Sequence, residues 1–255
     1  MDLAYDGTPF HGFARQPGIR TIQGEIESAL ARLFARPVTT ACAGRTDAGV
    51  HALAQVMTTT DAPDDIDLER LRHALNGMCG PAIAVAGCRS APDGFHARFS
   101  VRSRTYVYAV LEGDVPDPFL AHTALRHPPP LDVDAMNEAA GHLVGPHDFS
   151  SFGRVTEPDA SPERTLFELR CARTGRLIRV RARANAFIQQ MVRSLVGTLL
   201  EVGVGRRSPD EMPTTLRARD RAAAGRVAPA HGLCLVAVEY DEGWSAPPVL
   251  DGDGV

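Results

Sequence analysis

RTLFELRCARTGRLIRVRARA, residues 164–184, is the stretch on which the fold turns. Arg164–Arg173 and Leu177–Ala184 both alternate, and Thr174-Gly175 between them is turn chemistry, so the segment predicts an antiparallel hairpin. In the second strand Ile178, Val180, Ala182 and Ala184 share one face, and Arg179, Arg181 and Arg183 share the other. Immediately afterwards Phe187, Ile188, Met191, Val192, Leu195 and Leu199 predict a long helix over about Ala186–Val202. Upstream, a helix is predicted over about Val133–Val144. Downstream, Ser208-Pro209-Asp210-Glu211 forms a capping box, and Leu233–Tyr240 reads as a final strand.

The first half repeats this grammar. Thr21 caps a helix carrying Ile22, Ile26, Leu30 and Leu33, and Asp65 or Asp67 caps a second carrying Leu68, Leu71 and Leu75 and ending near Gly77. Strands are expected at Val38–Cys42, Ala54–Thr59, Ile83–Arg89 and Arg104–Leu111, with Asp2–Tyr5 barely long enough to count. Glu112–Pro130 is rich in acids and proline, and Pro128-Pro129-Pro130 fits neither helix interior nor central strand. The organisation expected is therefore an N-terminal αβ domain over 1–111, a linker or insertion over 112–130, a C-terminal αβ domain over 131–243 and a polar tail over 244–255. Strands and helices mix without regular βαβ alternation, which predicts α+β with mainly antiparallel sheet.

Composition narrows the chemistry. The chain has 255 residues, 44% of them hydrophobic and 23% charged, a soluble globular balance. All 27 basic residues are arginine, which excludes lysine Schiff-base chemistry, a P-loop lysine and a kinase strand lysine. The net charge of −4 conceals a basic region: Arg164–Arg193 holds eight arginines and one acid, Glu168. Such a local field matters more to a polyanion than the total does. The five cysteines, Cys42, Cys79, Cys88, Cys171 and Cys234, form no CxxC pair and read as reduced thiols of a cytoplasmic protein. No apolar run reaches membrane-spanning length and no signal-peptide pattern opens the chain, though it starts abruptly enough to lack a few leading residues. The nine histidines show no metal-ligand spacing; His51 and His96 lie near the motifs below and read as structural or as RNA contacts.

The densest cluster of special residues is Gly44-Arg45-Thr46-Asp47-Ala48-Gly49-Val50-His51-Ala52. Glycines permit a tight turn and close approach of another molecule. A cation such as Arg45 near Asp47 favours the ionised carboxylate, and an ionised carboxylate on a sharp loop serves as nucleophile or general base. An aspartate bonded into its own turn, with Arg45 as a surface partner, satisfies the same spacing. Asp47 has no acid within ten residues, so paired-carboxylate chemistry is disfavoured. Tyr106 and Tyr108 alternate as sheet residues do. Arg193, on an apolar helix, requires either a partner or a place at the wet edge. The arginine stripe Arg179, Arg181, Arg183 suits phosphates, or a solvated sheet face paired with local acids.

The nine-residue loop resembles the signature of the tRNA pseudouridine synthases of the TruA type. The resemblance continues in order along the chain: Ala4-Tyr5-Asp6-Gly7-Thr8 with Gly12-Phe13 and Arg15-Gln16, Thr21-Ile22-Gln23-Gly24, Phe95-His96-Ala97-Arg98-Phe99, Arg104-Thr105-Tyr106-Val107-Tyr108, His147–Phe152, Met191-Val192-Arg193, and Ala228–Leu233. Phe13 stands where Trp is more usual, and Ser194 where Asn is common. The resemblance implies two ferredoxin-like domains joined into one mainly antiparallel sheet, helices on one face and an active cleft between the domains. It implies an isomerase turning uridine into pseudouridine at positions 38 to 40 of the tRNA anticodon stem-loop, working as a homodimer without cofactor or metal. By the same resemblance Asp47 is the nucleophile, acting at C1′ or C6 or supporting a glycal route. Tyr106 stacks on the base and is a candidate for removing the C5 proton; Arg193 partners the carboxylate. Arg45 binds substrate, and Leu233 is an apolar wall of the uracil pocket.

Overall fold

The computed structural model describes residues 1–156 and 161–241, so the expected tail at 244–255 lies outside the described residues. The first half of the chain runs β1 (Asp2–Tyr5), α1 (Ile22–Phe34), β2 (Ala41–Cys42), β3 (His51–Thr58), α2 (Leu68–Cys79), β4 (Ile83–Gly87) and β5 (Val101–Glu112). The second runs β6 (Leu125–His127), α3 (Val133–Gly141), β7 (Gly145–Asp148), β8 (Glu163–Thr174), β9 (Leu177–Ala184), α4 (Met191–Gly203), α5 (Met212–Ala218) and β10 (Leu233–Tyr240). The chain divides into two compact units: 1–102 together with the stretch from Cys234 onward, and Ser103–Leu233. Mixed α and β elements with mostly antiparallel pairing agree with the α+β reading of the sequence.

In the first unit the strand order is β4-β1-β3-β10, with β2 on β3. β1 is antiparallel to both β3 and β4, so four residues suffice for a strand because both its edges are paired. β10 returns to pair in parallel with β3, Cys234 opposite His51 and Leu235 opposite Ala52. The Thr21 hydroxyl caps α1 by accepting from Gly24 N–H at 3.2 Å, a bond worth about 1 kcal/mol. The helix then buries Ile22, Ile26 and Leu30 of the expected stripe, while Leu33, in its last turn, is exposed. Of the two cap candidates for α2 it is Asp67 that accepts from Arg70 N–H, at 3.0 Å. β2 is shorter than expected because its approach spends backbone donors on side chains: Thr39 N–H on Asp61 at 2.7 Å and Thr40 N–H on Glu27 at 3.0 Å.

In the second unit the order is β5-β9-β8-β7. The hairpin forms with Thr174 opposite Leu177. Ile178, Val180, Ala182 and Ala184 are all fully buried. The stretch 112–130 is an excursion of this unit rather than a connector between units. Glu112 still belongs to β5, β6 pairs in parallel with Val110–Glu112, and Leu120 and Ala124 pack on Ala109 and Leu111. The observed division thus falls at Arg102/Ser103, within β5, where composition had suggested 111.

Candidate active site

The Gly44–Ala52 loop joins β2 to β3 in the first unit. Asp47 opens a four-residue turn closed by Val50 N–H to the Asp47 carbonyl at 3.1 Å, and Gly49 in third place has φ +78°, a region that favours glycine. Asp47 is half-buried, Thr46 buried and Arg45 exposed. A second stretch lies directly against this turn: Phe13 N–H donates to the Thr46 carbonyl at 3.0 Å. A Cβ on Gly7 would sit 2.1 Å from the Val50 oxygen, so only glycine fits there. Among the described residues no ion pair joins Arg45 to Asp47, and the Arg45 side chain faces solvent.

His51 and His96 both make contacts within the protein. His51 is buried, with Nδ1 3.1 Å from both Gly7 N–H, which it accepts, and an Asp6 carboxylate oxygen. His96 Nδ1 accepts from Arg98 N–H at 3.1 Å, and its ring lies 4.5 Å from that of Phe99. All five cysteines are free, and Cys79, Cys171 and Cys234 are buried. Burial pushes the thiols of Cys171 and Cys234 up to about 12, which keeps them protonated and unreactive.

The second unit holds the other expected residues. Tyr106 and Tyr108 of β5 stand opposite Ala182 and Val180 of β9, on the apolar face of the hairpin. Tyr106 is 7% exposed and meets Phe187 edge-on, ring centres 5.3 Å apart. Tyr108 is fully buried, its hydroxyl donating to the Pro229 carbonyl at 2.8 Å. Burial raises the Tyr108 pKa, opposed by the nearby Arg193 charge. Arg193, half-buried in the first turn of α4, donates Nε–H to the Ala228 carbonyl at 2.7 Å and accepts Ala228 N–H on its own carbonyl at 3.0 Å. The segment 228–233 thus straps α4 to β5, and buried Leu233 ends it. A Cβ on Gly232 would lie 2.6 Å from the Tyr108 ring, so glycine is required where the strap crosses that ring.

The arginine stripe lies on the opposite face of this sheet from Tyr106, since Arg181 faces Val107 across β5. It is also less free than its composition suggested. Arg181 pairs with Glu168 at 3.2 Å, and the Arg183 guanidinium sits 5.2 Å above Phe167. The sequence reading missed Gln55, Tyr108 and Gly232 as parts of these arrangements. The signal for Gln55 was available: one amide in the apolar run of β3 must find buried partners.

The sequence profile of the tRNA pseudouridine synthase family matches residues 3–100 and 139–241. Asp47, Arg193 and Leu233 fall within the matched segments, and Tyr106 between them. The tRNA pseudouridine synthase A of Frankia casuarinae is 48% identical over 243 residues, 94% of this chain and 88% of its own. That of Bacillus subtilis is 44% identical over 241 residues, 94% of this chain and 97% of its own. That of Cereibacter sphaeroides is 44% identical over 245 residues, covering 94% and 95% respectively. The chain belongs to the tRNA pseudouridine synthase family.

Proposed function

We propose that this member of the tRNA pseudouridine synthase family isomerises uridine at positions 38 to 40 of the anticodon stem-loop, with Asp47 as its nucleophile. The bond between N1 and ribose C1′ breaks, the base turns, and C5 bonds to C1′ as the C5 proton departs and N1 gains one. Nothing is oxidised and no atom is added, so the chemistry calls for no cofactor. The carrying observation is the Asp47–Val50 turn, which holds a half-buried carboxylate on a backbone braced by Phe13 and by the close approach of Gly7.

A uridine stacked in a helix is out of reach of such a carboxylate, so the nucleotide must be extruded. Arg45, exposed one residue before Thr46, serves in this reading to bind the substrate. Tyr106 offers an aromatic surface to the base, Leu233 an apolar wall, and Arg193 a guanidinium partner for the carboxylate. In this reading the enzyme is a cytoplasmic homodimer and one tRNA touches both subunits, a state that sedimentation of the purified protein measures. Carbodiimide mapping of unmodified tRNA incubated with the protein alone tests the activity. The parent should yield pseudouridine within 38 to 40. Asp47→Ala should bind tRNA as well and yield none; turnover near the parent rate would remove Asp47 from its role.

A further inference from the structure

We propose that Tyr5, Thr46 and Gln55 are positioning residues for Asp47, a buried hydrogen-bonded chain that fixes the nucleophile's turn to the strands beneath it. The inference rests on the reading of Asp47 as nucleophile. Gln55 projects from β3 and is fully buried. Its side-chain amide donates to the Gly44 carbonyl at 2.7 Å, and its oxygen accepts Gly44 N–H at 3.4 Å and Val56 N–H at 3.2 Å. The same amide nitrogen donates to the Tyr5 hydroxyl oxygen at 3.3 Å. That oxygen, having accepted one hydrogen, can give its own to Thr46 Oγ1, 2.8 Å away. Thr46 is thus held twice, at its side chain by Tyr5 and at its carbonyl by Phe13 N–H.

Residues 44 and 46 are tied down, while Arg45 is exposed and Asp47 half-buried. Gly44 and Thr46 flank the exposed Arg45, and Thr46 directly precedes Asp47, so anchoring both fixes the backbone that carries the nucleophile. Tyr5 is itself fixed, pairing from β1 with Ala52 of β3 and lying against Phe13, ring centres 6.1 Å apart. Apolar side chains of the same shape replacing the whole chain at once would fill this space at little cost in stability, because a buried polar chain contributes modestly net of desolvation. What they would not do is fix the turn, and catalysis is sensitive to displacements of about 1 Å, worth roughly 10²-fold in rate.

The test uses substitutions that remove hydroxyls and little else. Tyr5→Phe and Thr46→Val should each lower kcat on unmodified tRNA about 10- to 100-fold, with KM and tRNA affinity by filter binding near parent values at a temperature where both variants are folded, their melting temperatures falling by what one unpaired buried group costs. Thr46→Ser keeps the hydroxyl and should restore most of kcat. Parent kcat in both Tyr5→Phe and Thr46→Val overturns the proposal. So does a KM that rises in step with the loss, or a Thr46→Ser as impaired as Thr46→Val. Asp47→Ala, assayed alongside, separates the two claims. If it retains turnover, the nucleophile reading fails and takes this inference with it; if it is inactive while Thr46→Val matches the parent, only the positioning role fails.

Discussion

Tyr108 shows how far one side chain can organise its surroundings. Its hydroxyl anchors the 228–233 strap, and its ring leaves room only for glycine at 232. Tyr108→Phe leaves the Pro229 carbonyl unpaired, a cost of about 1–3 kcal/mol that calorimetry reads as a lower melting temperature. Alkaline pH acts on the same residue. Burial raises the Tyr108 pKa above its ordinary 10.0 and those of Cys171 and Cys234 above 9.0, so the folded chain holds these protons longer than the unfolded one. Their contribution is complete at lower pH, and stability should decline as pH climbs from about 9 toward 12. Denaturation midpoints across that range should fall for the parent, and less steeply near the top for Tyr108→Phe. The turn at Asp47 was legible in the sequence from its bracketing glycines, while the role assigned to its carboxylate came from the family resemblance. Tyr108 was not legible, because a tyrosine in a strand acquires meaning only from what the fold sets against it.

Periodicity placed most elements well, and its errors share a cause. β10 and the β8–β9 hairpin lie close to where alternation put them, since alternation reports a buried face directly. α4 begins at Met191 rather than Ala186 because 186–190 bends away first, with Gln190 at φ +63° and Gln189 exchanging backbone bonds with Arg154 at 3.1 Å. Apolar spacing alone does not register such a bend. The arginine stripe carries the same lesson: alternation found its face, but not its acid partner Glu168 on the neighbouring strand. Charge reversal at Arg179 and Arg181 should weaken tRNA binding and shallow its salt dependence by about one unit of log–log slope per lost phosphate contact. Filter binding across about 50 to 200 mM salt decides this; unchanged binding assigns the stripe to Glu168 and solvent.

The first unit is not a continuous run, because β10 crosses back to complete it. A fragment ending at Leu111 includes all of β1–β4 yet lacks the strand that pairs with β3. It should show little cooperative unfolding by circular dichroism and be cut rapidly by protease; a fragment melting like the whole protein would show that β10 is dispensable. Acid and proline content drew the boundary near 111, since composition marks where a chain is irregular and says nothing of where a distant strand returns. The same return sets an order of events during synthesis. His51, which follows the Asp47 turn, meets its partner Cys234 only when nearly the entire message has been read. A ribosome-bound nascent chain therefore carries an unfinished first sheet through most of translation, closed only when the last strand emerges.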